Sequence, residues 1–209
     1  MAQIKSGASS DLLTIDPTSK AARATLYDST GREVSFQSKA AYMANGTFTP
    51  AATPTDIVTI FGSATKLVKV TAFLIGTTNT AAGSQQFFLV RRTAVDTTGT
   101  FVAATTGQFD TNDPALTATA IGHYTANPGG LGAGVNFFVN RVSSPIAVPA
   151  SFAGNAFVAH VDLIAQLGSR PLDRAITLRG TTQGLCLNFN GAALVAGQTH
   201  YYNIVWTEE

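Results

Sequence analysis

At 209 residues the chain is long enough for one sandwich-sized domain plus an extension, or for two small domains, and a hydrophobic content of 45% excludes wholesale disorder. Charged residues make up only 12%, and 13 basic against 12 acidic side chains leave a net charge of +1, so no electrostatic field points to nucleic acid or an anionic membrane as partner. Cys186 is the only cysteine; an intrachain disulfide is ruled out, and stability must come from packing or oligomerisation.

The N-terminal MAQIKSGASSDLL holds no apolar run between a basic start and a small-residue cleavage site, so no secretory signal is expected. No window approaches 18 unbroken apolar residues, the length a spanning helix needs. Residues 1–20 are small and polar and end in the turn-like Asp16-Pro17, as an extended arm would. Ala22–Tyr27 and Arg32–Phe36 flank a turn of Asp28, Ser29 and Gly31, which predicts a short β-hairpin. Residues 37–55, with Pro50 and Pro54 among Ala and Thr, read as a connector. This places an arm, hairpin and connector at 1–55 and a β-sandwich domain at 56–209.

From Asp56 the strand signals follow closely. Ile57–Phe61 is a first run, and Lys66–Ile75 a second, with Val68, Val70, Ala72 and Leu74 on one face. Gln85–Arg92 is apolar on both faces, as a central strand is. Phe101-Val102 suits a short edge strand, Asp110–Pro114 a turn, and the Thr-rich Leu116–Tyr124 a strand. Pro128–Gly134 is the most glycine-dense stretch and predicts a loop. Val135–Val142, Ala156–Asp162 and Ile176–Arg179 are further strands. Leu185, Leu187 and Phe189, then Tyr202, Ile204 and Trp206, alternate with their neighbours, and these two core strands close the domain. About nine strands, glycine turns throughout, no helical period and no fixed repeat predict an all-β, antiparallel, jelly-roll-like β-sandwich behind an extended N-terminal arm and short β-hairpin.

Nothing in the chain spells a reaction. A glycosidase needs two carboxylates facing one cleft, and the loop candidates Asp96, Asp110, Asp113, Asp162 and Asp173 all stand where Asp caps turns. No serine sits in a Gly-x-Ser-x-Gly elbow. His123, His160 and His200 have no ligand spacing, and Asp110-x-Asn112-Asp113 lacks the closing glutamate of a calcium loop. The glycine-rich loop has no following lysine or helix to cradle a phosphate. Cys186, opposite Leu185 and Leu187 and with no histidine to activate it, reads as packing. The adjacent pairs Phe137-Phe138 and Tyr201-Tyr202 each turn one ring away from their own core, suiting an intersubunit contact or second-layer packing ahead of a sugar-stacking surface. The expectation is therefore a non-enzymatic protein with no catalytic, cofactor-binding or metal-binding residues. A charge-poor surface rich in Thr, Ser, Asn, Ala and Gly suits burial against copies of itself or a larger assembly.

The segments SGASSDLLTIDPTSKAARATLYDSTGREV at 6–34, IVTIFGSATKLVKVTAFLIGTT at 57–78, AIGHYTANPGGLG at 120–132, ITLRGTTQGLCLNFNG at 176–191 and IVWTEE at 204–209 resemble virion structural proteins of tailed bacteriophages. The resemblance implies an arm-plus-jelly-roll plan similar to that of capsid decoration and fibre proteins, assembled as symmetric homo-oligomers, most often trimers. It carries over no catalytic residues. The expected role is a capsid-associated cement or decoration protein that bridges subunits of the major capsid protein in the virion, assembled in the host cytoplasm. The alternative is a tail or neck fibre module that binds a host glycan, and a polysaccharide-degrading spike ranks third because it lacks an acid pair.

Overall fold

The fold is that of a computed structural model, which describes residues 14–15, 22–23, 39–78, 81, 83–144, 161–162 and 175–209. The chain divides into two compact units, Met1–Lys39 and Ala40–Glu209. In the first, β1 (Thr14–Ile15) pairs antiparallel with β2 (Ala22–Arg23). The hairpin expected across Ala22–Phe36 lies almost wholly outside the described residues.

The second unit is an antiparallel sandwich. In chain order its strands are β3 (Ala40–Phe48), β4 (Asp56–Phe61), β5 (Val68–Thr78), β6 (Gly83–Arg92), β7 (Thr100–Ala103), β8 (Thr105–Gln108), β9 (Thr119–Ala126), β10 (Gly134–Ser144), β11 (Val161–Asp162), β12 (Ile176–Leu178), β13 (Gly184–Asn188) and β14 (Thr199–Glu208). One sheet runs β10-β6-β13-β4-β9-β7 and the other β11-β5-β14-β3-β8, with β12 also on β5. Among the described residues there is no helix, and so none long and apolar enough to cross a membrane. Among the described residues of the sandwich, no strand pairs with its immediate neighbour in sequence. Every ladder therefore closes a long loop, a topology that folds on the millisecond-to-second scale rather than in microseconds.

The two closing strands do not form a hairpin. β13 sits in the middle of one sheet, between β6 and β4, and β14 in the middle of the other, between β5 and β3. Their apolar faces meet across the core: Leu185, Leu187 and Phe189 from one sheet, Tyr202, Ile204 and Trp206 from the other, all essentially inaccessible to water. Trp206 stacks on Tyr42 of β3 at 5.7 Å between ring centroids.

Two differences from the sequence reading have local causes. The stretch 37–55 is not all connector: Ala40–Phe48 is β3, paired with β14 over its full length, so the sandwich begins at Ala40 and not at residue 56. In β5 the alternation changes phase at Thr71. Ala72 pairs with Val205 and Val70 with Trp206, leaving Thr71 as a bulged extra residue whose hydroxyl donates to the Val205 carbonyl at 3.1 Å. Val68 and Val70 face the core as expected, but beyond the bulge Phe73 and Ile75 do so in place of Ala72 and Leu74.

Candidate functional site

The structure disperses most of the residues that sequence chemistry singled out. Asp110 turns its own loop, accepting from the Asn112 amide at 2.9 Å, and Asp113 accepts from the Ala41 amide at 3.2 Å. The Asp113 carboxylate thereby fastens the loop to β3 instead of facing a cleft. Asp162 lies on β11; Asp173 and His160 fall outside the described residues. Tyr201 is partly exposed and Tyr202 is buried, while the Phe137 and Phe138 side chains are likewise outside what is described.

His123 and His200, distant in sequence, both meet Phe48, at ring centroid separations of 4.6 Å and 5.7 Å. His123 Nδ1 shares a hydrogen bond with the Tyr202 hydroxyl at 3.2 Å, and His200 Nδ1 one with the Thr77 hydroxyl at 2.9 Å. Burial lowers both imidazole pKa values, that of His200 to about 4. These rings are neutral core aromatics at neutral pH, with one polar edge tethered each.

A different group of chemistry-bearing side chains is assembled on the face of the β10-to-β7 sheet that points away from the core. It arises from alternation: Leu185, Leu187 and Leu89 turn inward, so Cys186, Asn188 and Arg92 turn outward. The loops 93–99 and 127–133 cover this face. They are tied by Thr93 N to Ala133 O, Thr97 N to Gly130 O and Gly129 N to Thr97 O, at 2.9 Å, 2.9 Å and 3.0 Å, and by the Gly129 amide donating to the Thr98 hydroxyl at 2.7 Å. Gly132 is required here: a Cβ at this position would run into the Ala94 carbonyl oxygen. Thr98, at φ 60°, adopts a left-handed backbone that is strained for a β-branched residue.

Beneath these loops Arg92 forms a two-pronged ion pair with Asp56, through Nε to Oδ2 at 2.7 Å and Nη2 to Oδ1 at 2.8 Å. Its Nη1 donates to the Gly132 carbonyl at 2.8 Å. The Asn188 amide also donates to Asp56 Oδ1. Asp96 reaches in from the first loop. It is 7% exposed, and its Oδ1 receives a long 3.4 Å bond from the Gly132 amide. Its Oδ2 is buried with no donor in reach among the described residues. Burial, and next the Asp56 carboxylate, push the Asp96 carboxyl up to about 7, opposed by the Gly132 amide and Arg92. The Cys186 thiol is also pushed well up, first by complete burial and then by Asp56 and Asp96. Tyr124 of β9 is raised to about 12 by burial and then by the nearby Asp96.

Ligand atoms of Asp56, Asp96 and Cys186 lie within 4.8 Å of one another, a spacing compatible with a bound cation. The donor set does not fit a metal. Both oxygens of Asp56 are taken by Arg92 and Asn188, so the cluster already contains its cation, and burial holds Cys186 as a neutral thiol rather than a thiolate ligand. Nor do the carboxyls face a cleft: Asp56 is 0% and Asp96 7% exposed. What the arrangement can hold is a proton on Asp96. Sequence position assigns Asp96 only a turn-capping role, and nothing in its spacing from Asp56 or Arg92 shows that the three meet.

No family model matches the chain, and neither the curated proteins nor the solved structures searched contain a match to it.

Proposed function

We propose that this chain is a non-enzymatic structural protein of a bacteriophage virion, a cement or decoration protein that adds buried area between neighbouring shell subunits. The observation that carries the reading is the placement of apolar side chains left open to water. Among the described residues, Phe101 and Val102 stand on β7, Val135 and Val139 on β10, and Val95 and Leu131 on the covering loops, all exposed by 37% or more. Among the described residues, β7 and β10 are the two end strands of one sheet. Exposed edges carrying apolar groups and few charges invite lateral association. The resemblance of the five segments to phage virion proteins points the same way, and a homotrimer is the assembly it suggests. The polar groups that sequence chemistry would have offered to a substrate are largely consumed in tethering loops to the sandwich.

The test is reconstitution. Particles stripped of the protein should lose heat stability and regain it when the purified protein is added back. A particle whose melting is indifferent to the protein would overturn the cement reading, and binding of the isolated protein to host cells would favour the fibre alternative.

A further inference from the structure

We propose that the buried Asp96–Asp56 pair is a proton-dependent latch: a proton carried by Asp96 and donated to Asp56 holds the loops 93–99 and 127–133 closed, and its loss loosens them and uncovers Cys186. The inference is independent of the virion reading. It starts from an accounting problem. Asp96 Oδ2 is buried without a donor among the described residues, and one of the Asp96 carboxyl oxygens lies within 4.8 Å of a second carboxylate whose own charge is already matched by Arg92. A deprotonated Asp96 would leave one excess buried negative charge with a single weak amide bond to hold it. A protonated Asp96 supplies the donor for an O–H···O⁻ hydrogen bond to Asp56, among the strongest neutral-to-charged bonds available.

The groups facing Asp96 come from every element packed around it. Asp56 lies on β4, Arg92 on β6, Cys186 on β13 and Tyr124 on β9, and the Gly132 amide belongs to the opposing loop. Of these only Arg92 is cationic, and it is bound bidentately to Asp56. None can take over the role of the proton. The mechanical link is equally direct, because Asp96 stands in one covering loop and grips the other through Gly132. Arg92 grips the same residue through its carbonyl. The backbone bonds keep the two loops tied to each other, so losing the Asp96 anchor weakens their joint hold on the sheet, with the Arg92–Gly132 bond still in place; they lift as one flap more often, and Cys186, 0% exposed in the closed form, becomes reachable.

The sign of the pH dependence follows from linkage. Asp96 titrates at about 7 when the loops are closed and near the ordinary value of about 4 when they open into water. The open form is then the better acid, so the opened fraction rises roughly tenfold per pH unit from about 4 to about 7 and levels off above. Cys186 is the natural reporter, being the only thiol in the chain. The full-length protein should be alkylated with a small maleimide across pH 5 to 9, each rate divided by that of glutathione at the same pH. The normalised rate should climb about tenfold per unit below pH 7 and flatten above it, while Asp96→Asn, which keeps a donor toward Asp56, should give a flat profile. A flat wild-type profile, or an equal slope in Asp96→Asn, overturns the latch. Should that variant fail to fold, the infrared carbonyl band of a protonated carboxyl in the wild-type protein decides: it should be present at pH 6 and gone at pH 8, and its absence at pH 6 overturns the latch as well.

Discussion

Glu208 offers the sharpest stability test, because one buried carboxylate ties the last strand of the sandwich to the chain before β9. Its oxygens accept from the Thr117 amide at 2.9 Å, the Thr117 hydroxyl at 2.7 Å, the Ala118 amide at 2.9 Å and the Trp206 indole at 3.1 Å. Lys66 Nζ stands 3.8 Å away. Glu208→Ala removes the acceptor while the Ala118 amide and the indole N–H stay buried. Two orphaned donors at roughly 1–3 kcal/mol each give an expected loss of about 2–6 kcal/mol. Glu208→Gln keeps one carbonyl oxygen and should cost less, about 1–3 kcal/mol. Urea denaturation at pH 7 measures both, and hydrogen exchange at Thr117 and Ala118 shows whether the damage is local. Burial alone would raise the Glu208 pKa, but the Thr117, Ala118 and Trp206 donors outweigh it and the net shift is downward. A lowered folded-state pKa stabilises above the unfolded value near 4.3, and that contribution disappears as the pH falls through the folded value. Wild type should therefore lose its advantage over Glu208→Gln in acid. A loss under 1 kcal/mol for Glu208→Ala, or an advantage unchanged down to pH 2, would refute this reasoning.

Two further outcomes follow from the core. Trp206→Ala, at a site fully buried against Tyr42, should cost about 3–5 kcal/mol in the same denaturation assay; a mild effect would mean that β14 is not central. His200, neutral in the fold with its pKa at about 4, should stabilise above pH 6.5, and about 3 kcal/mol of that should vanish as the pH falls to 4. His200→Gln should flatten that part of the stability-versus-pH curve, and an unaltered acid slope would contradict the neutral buried assignment.

How much of this was readable in the chain depends on where each strand sits. β4, β6, β13 and β14 declare themselves because they are interior strands whose core faces are filled by Val, Ile, Leu, Phe and Trp. β3 is equally interior but hides: its core face is Tyr42, Ala44 and Phe48, and Gly46 interrupts the run because the Tyr202 ring lies where its Cβ would be. β8, at a sheet edge, consists of Thr105, Thr106, Gly107 and Gln108, half-buried at best, and carries no apolar signal at all. The phase change in β5 escapes pattern reading since a bulge costs one residue and leaves composition untouched. The Asp56–Arg92–Asp96–Cys186 cluster was illegible for a topological reason. Asp56, Arg92 and Cys186 come from strands that are not neighbours in sequence, joined by pairings between β4, β13 and β6 that no local spacing encodes, and Asp96 enters from the loop after β6. Cys186 is buried on the face opposite Leu185 and Leu187, beside the Arg92–Asp56 ion pair and the Asp96 carboxyl.

The proposal that this β-sandwich occupies a place in a virion is decided by quantitative mass spectrometry of purified phage heads. Under the cement reading the protein is present in fixed stoichiometry to the major capsid protein, unchanged by further purification. Heads that lack it, beside a free monomer in the lysate, would overturn that reading.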